Sequence, residues 1–220
     1  MCKERMMSFT TPMVQAIIDL TKSQTRRPVK EQQQGFVEVD EYKWYPDGTY
    51  RAIVFDGHDF GSLRSPFGGP GDVILVRESA RVVYYGGMYK MIDIRYDADN
   101  SLATVMWPNR MTWKPIPGHK IPNGCHKEAV RIKRVVMRVW VERVQDITNE
   151  QAISEGIEPF DTTDDGRVIT WKAKDGMATF LEKVSFKDLW DSIYNSWDQN
   201  PWVWCCEFEK PTPAASDGVN

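Results

Sequence analysis

"AVRIKRVVMRVWVERV", residues 129–144, is the longest run of strand-forming sequence in the chain. Residues of this kind favour extended backbone, and their side chains alternate between the two faces of a strand. Val130 and Ile132 fall on one parity, whereas Val135, Met137, Val139 and Val141 fall on the other. A single apolar face therefore needs a one-residue shift, which predicts a β-bulge near Lys133 and Arg134. A long bulged strand suits a small, strongly curved barrel better than a flat sheet. Arg131, Lys133, Arg134, Arg138 and Arg143 decorate the same strand. This basic stripe is open to two readings, a solvated outer face or a track for nucleic acid.

Downstream, "DITNEQAISEGI" (146–157) reads as a short helix. Thr148 with Gln151 three residues on forms a capping box, and Gly156 is a natural stop, so Glu155 sits in the last turn. A carboxylate there faces the negative end of the helix dipole, which raises its pKa unless a cation compensates. Near the C-terminus, Ser185 is expected to cap a helix that buries Phe186, Leu189, Trp190, Ile193 and Trp197. "WVWCCEFE" (202–209) then alternates as a closing strand.

Upstream, Thr11 and Pro12 signal the start of a helix, with Met13, Val14, Ile17, Ile18 and Leu20 at helical spacing to about Thr21. Directly after it comes "DLTKSQTRRPVK" (19–30). Pro28 disfavours helix at the residue before it, so Lys22 to Arg27 lies on the turn leaving the helix or on a following strand. "SPFGGPGDVILVRES" (65–79) gives a tight turn and a short strand over Val73 to Val76. Its glycines lack the spacing of a nucleotide-binding loop.

The 220 residues carry a formal net charge of -3, with 41% hydrophobic and 27% charged residues, so nucleic acid would have to be held by a local patch. Nine tryptophans, eight tyrosines and nine phenylalanines require a core or flat ligands to stack against. No apolar run approaches the roughly 20 residues that span a bilayer, and "MCKERMMSFTT" lacks the apolar centre of a signal peptide, so a cytoplasmic protein with no membrane partner is expected. Cys2, Cys125, Cys205 and Cys206 show no CxxC spacing, and His58, His119 and His126 show no metal spacing. Reduced thiols, no metal and no cofactor are expected. Segments 29–60, 84–112 and 158–178 read as polar insertions, and residues 210–220 as a disordered tail.

Five blocks in order, "LTKSQTRRP", "SPFGGPGDVILVRES", "MTWKPIPGHKIP", "RVWVERVQDITNEQAISEGI" and "FKDLWDSIYNSWDQNPWVWCCEFE", resemble the ASCH family, in its long phage and prophage-type branch. The resemblance runs from about residue 8 to 209 and implies an α+β fold: a single PUA-like small β-barrel with flanking helices. Small bacterial members are similar to an N4-acetylcytidine amidohydrolase that uses a lysine and a threonine in K-x-x-T after the first helix, and a glutamate seven residues after the threonine that opens a short helix. The matching residues are Lys22, Thr25 and Glu155, with Arg27 in the place of a following arginine. By this likeness Thr25 supplies or orients the nucleophile, Lys22 acts as base or oxyanion partner, and Glu155 carries the proton to the leaving amine. Ser23 and Gln24 belong to the same wall, and Arg26 or Arg27 holds phosphate or base edges. The small enzymes have a glycine two residues before the lysine, where Leu20 stands here, and an apolar residue where Arg26 stands. The other expectation is a non-catalytic module for RNA, single-stranded nucleic acid or a modified nucleoside, with Arg131 and Arg138 on phosphates and Trp113 stacking on bases. A phage assembly or host-interaction role is a third.

Overall fold

The computed structural model describes residues 2–30, 38–55, 57–86, 90–107, 115–121, 126–173 and 176–210. Along the chain lie β1 (Glu4–Ser8), α1 (Thr11–Ile18), β2 (Gln24–Pro28), β3 (Glu38–Trp44), β4 (Tyr50–Phe55), β5 (Phe60–Arg64), β6 (Val73–Arg77), β7 (Ala80–Gly86), β8 (Met91–Tyr96) and β9 (Leu102–Met106). They are followed by β10 (Lys133–Arg143), α2 (Asn149–Ser154), β11 (Pro159–Thr162), β12 (Val168–Lys172), β13 (Ala178–Thr179), α3 (Glu182–Ile193) and β14 (Trp202–Phe208). The architecture is mostly β with few helices, arranged as four sheets. Among the described residues no helix is long and apolar enough to cross a membrane.

The central sheet has the order β1-β6-β10-β14-β2. β10 is its spine because it serves two partners in turn: Lys133 to Val135 pair with β6, and Val136 to Arg143 pair with β14. The handover is a bulge at Met137, between Val136 and Arg138, and not near Lys133 and Arg134 as the parity pattern suggested. Burial explains the displacement. Ile132 and Val136 face the core on one parity and Val139 and Val141 on the other, while Met137 projects into solvent at 55% exposure. The sheet's two edges are joined by one side chain, since Arg27 on β2 donates from Nη2 to the carbonyl of Ser8 on β1 at 3.0 Å.

One core packs α1 (Met13, Val14, Ile17) against Ile74, Val139, Val141, Trp204 and Cys206 on one face of this sheet. A second packs Phe186 and Trp190 of α3 and Ala152 of α2 against Trp140, Val203 and Cys205 on the other. The alternation of β14 therefore sends Trp202, Trp204 and Cys206 to the first core and Val203 and Cys205 to the second. Each expected insertion contributes to a three-stranded antiparallel sheet: β3-β4-β5, β7-β8-β9 and β11-β12-β13.

Helix bounds differ from expectation in two places. α1 begins one residue earlier in register, with Thr10 as N-cap, and ends at Ile18 because Leu20 adopts a left-handed conformation. α3 begins at Glu182, so Ser185 lies inside it, buried, and its hydroxyl donates to the Lys172 carbonyl of β12. Ile193, expected on the buried face, is the last residue of α3 and is 41% exposed. Residues 211–220, most of the expected tail, lie outside the described residues, as does Trp113.

Candidate functional site

α1 delivers Lys22 through a tight exit turn. Leu20 takes a φ of 61°, and the amides of Thr21 and Lys22 both fold back onto the Ala16 carbonyl, at 3.0 and 2.9 Å. This is a helix C-terminal motif that glycine ordinarily serves. Ser23 then locks the turn through its main chain, donating to Ser154 of α2 and accepting from Phe208 of β14.

α2 delivers Glu155 from the other side. The capping box at Thr148 and Gln151 forms as expected, and Glu155 is the C-cap residue. Gly156 follows at φ 78°, where a Cβ would sit 2.9 Å from both Ala16 Cβ and Lys22 Cβ. A bare backbone is what lets the end of α2 press onto the stem of Lys22.

Lys22 Nζ consequently donates to both the carbonyl of Glu155, at 2.6 Å, and its carboxylate, at 2.8 Å. Arg26 reaches the other carboxylate oxygen from Nη1 at 2.9 Å. The same guanidinium donates from Nε and Nη2 to Glu142 of β10 at 2.9 and 2.6 Å, and Trp140 Nε1 donates to the second Glu142 oxygen. Two cations and two carboxylates thus balance one another. Side-chain exposure is 0% for Lys22, 1% for Arg26 and 3% for Glu155. Burial raises the pKa of the Glu155 carboxyl, but the charges of Lys22 and Arg26 outweigh it and hold the group below the usual carboxylate range. The helix-end carboxylate is therefore the compensated case. Burial lowers the pKa of Lys22, Glu155 opposes that shift, and the result stays below the usual lysine value. Cys205, opposite Arg26 in the ladder, is pushed well up by burial, so its thiol is no nucleophile here.

Strand alternation places Thr25 elsewhere. Arg26 pairs with Cys205 of one core, whereas Thr25 pairs with Cys206 of the other. The Thr25 hydroxyl accepts from Arg27 Nη1 at 3.0 Å and makes no hydrogen bond to Lys22 or Glu155. Lys22 and Glu155 meet; Thr25 stands across the strand from them. Gln24 Oε1 is a buried acceptor with no donor among the described residues. Glu142 was not singled out from the sequence, where it is one polar residue in an alternating strand.

Arg27 contrasts with its neighbour. Its guanidinium donates only to neutral oxygens, those of Thr25, the Arg26 carbonyl and the Ser8 carbonyl, and lies 5.3 Å from the Phe9 ring centroid. Nε and one Nη2 hydrogen find no acceptor among the described residues.

The basic stripe does not form. Arg131 makes a two-pronged ion pair with Glu78, a second with Asp99, and stacks on Tyr96. Lys133 pairs with Glu4, Arg134 donates to the Ile17 carbonyl at the end of α1, and Arg143 donates to the Asn200 carbonyl. Arg138 is exposed over the Trp140 ring without a carboxylate partner among the described residues. No group of three His, Cys, Asp or Glu side chains gathers as a metal set among the described residues.

Compared with known proteins, the chain matches no family model, no curated protein and no solved structure.

Proposed function

We propose that this chain is a PUA-like module of the ASCH type that binds nucleic-acid components in the cytoplasm of a bacterial host, without catalysing a reaction on them. The fold half of the reading is supported by the bend of β10 at Met137 and by the Arg27 bridge between the sheet's edges, both of which suit a strongly curved barrel. It is supported again by the contact of Lys22 with Glu155, because the two segments that carry the resemblance meet.

One observation carries the binding half: Arg26 is consumed by two carboxylates, whereas Arg27, one residue on, is anchored by neutral acceptors alone and keeps its charge and two donors for a ligand. Three anchors fix the guanidinium plane before any ligand arrives, which removes most of the ordering cost of binding. The charge-balanced group of Lys22, Arg26, Glu155 and Glu142 holds β2 in place behind it. The test compares Arg27→Ala with Arg26→Ala against labelled single-stranded RNA. Arg27→Ala loses binding with little change in melting temperature, and Arg26→Ala melts early. Equal binding by Arg27→Ala and the parent chain would overturn the reading.

A second reading, hydrolysis of N4-acylated cytidine, is favoured by the depressed pKa of Lys22 beside Glu155. It needs the buried pair to open and a nucleophile to enter, since Thr25 lies on the other face of β2. Acetate release from N4-acetylcytidine that Lys22→Ala abolishes would establish it.

A further inference from the structure

Arg27 is not alone. It lines a cleft of about 690 Å³ together with Arg5 of β1, Lys30 beyond β2 and Arg64 of β5, over a floor that includes Trp204 and Tyr194. The lining holds four cations and no carboxylate, in a chain whose net charge is -3. Such a concentration of one sign in a recess focuses the field on an incoming anion.

The four differ in how far the protein satisfies them. Arg5 leans on Asp72 at 3.4 Å, and Arg27 has neutral acceptors only. The side chains of Lys30 and Arg64, both exposed, make no hydrogen bond or ion pair among the described residues. Arg64 also stands directly across the ladder from Arg51, a like-charge pairing that weakens a sheet. Arg51 is itself neutralised by Asp47, so Arg64 is the member of the pair that has no carboxylate partner among the described residues.

We infer that the cleft is a binding site for the phosphodiester backbone of a single-stranded nucleic acid, and that the ligand of the proposed module is a strand and not an uncharged nucleoside. The inference rests on the binding reading above and narrows it. Four cations from three separate segments suit successive phosphates better than one neutral ring. Part of the wall, residues 62–66, is the end of β5 and the two residues after it, so the β3-β4-β5 sheet helps to shape the cleft.

The experiment measures binding of a short oligouridylate, uridine monophosphate and uridine to the full chain, at several salt concentrations, for the parent, the K30E/R64E double variant and an R167E surface control. The expected result is that the oligomer binds with a log–log salt slope of about -3, from about 0.7 per phosphate neutralised. The monophosphate binds at least about tenfold more weakly, and uridine does not bind. In K30E/R64E the slope shrinks by about 1.4 while the melting temperature is unchanged or higher, and R167E matches the parent. Uridine binding as tightly as the oligomer, with a flat salt response that Arg27→Ala abolishes, would overturn the strand inference and leave the binding module standing. Oligomer binding indifferent to K30E/R64E would overturn the cleft. No binding by any of the three would overturn both.

Discussion

Lys22 Nζ and the Glu155 carboxylate, 133 residues apart in the chain, meet at 2.8 Å in a place that water does not reach. The contact ties the exit of α1 to the exit of α2, and with Arg26 and Glu142 it forms a closed, charge-balanced group under the second core. A buried pair of this kind adds little net stability, but losing one partner leaves the other charge stranded. Glu155→Gln is therefore expected to cost about 3–5 kcal/mol, read as a fall in the guanidinium midpoint at constant slope. The Lys22→Met/Glu155→Gln double variant should cost clearly less than the sum of the two single changes.

Acid should act on the same contact. The folded state holds the Glu155 carboxyl below its ordinary 4.5, so the native protein binds fewer protons there than the unfolded chain does. The stabilisation is complete above about pH 4.5 and is lost as pH falls through the folded value. Denaturation curves between about pH 6 and pH 3 should show this loss in the parent and a shallower acid decline in Glu155→Gln. Parallel curves would show that the carboxyl carries no share of the acid response.

The two left-handed residues flanking the contact should respond oppositely to substitution. Gly156→Ala is expected to cost about 1–3 kcal/mol, because the added carbon meets Ala16 and Lys22 at 2.9 Å in a conformation that alanine resists. Leu20→Gly should stay within about 1 kcal/mol of the parent. Relief of the left-handed leucine offsets the entropy of an added glycine and the loss of partial burial. Thermal melts of the two variants decide the matter, and a large loss for Leu20→Gly would mean that its side chain carries packing the strain argument omits.

The resemblance located both ends of the Lys22–Glu155 contact because helix signals are local: a capping box at Thr148 and Gln151, and helical spacing from Met13 to Ile18. What the sequence left undecided is how faces are assigned. Val135, Val136 and Met137 are all apolar, so the parity switch in β10 fits several positions, and only the handover from β6 to β14 places it at Met137. Alternation alone puts Thr25 and Arg26 on opposite faces, but K-x-x-T spacing invites a reading as one wall. The insertions hid their strands because one face of each is wet: β3 reads "EVDEYKW", where acidic residues and lysine mask its β-branched and aromatic members. The cations of the cleft come from residues 5, 27, 30 and 64, and no local pattern links them.

Neighbouring arginines on β2 should therefore separate cleanly. Arg26→Ala is expected to unfold the protein at markedly lower denaturant because Glu142 and Glu155 lose their shared partner. Arg27→Ala should fold normally, since its hydrogen bonds are to neutral oxygens at a half-buried position. Guanidinium titrations of both variants, beside strand binding, check the division.

That division, a structural face and a ligand face on one five-residue strand, is tested most directly by the arginine Nε–Hε resonances of isotope-labelled protein titrated with a short oligouridylate. The Arg27 signal, whose Nε has no acceptor among the described residues, should move and gain protection from exchange, while that of Arg26, tied to Glu142, stays where it is. Movement of Arg26 with Arg27 still would contradict the assignment and place the ligand at the buried Lys22–Glu155 pair instead.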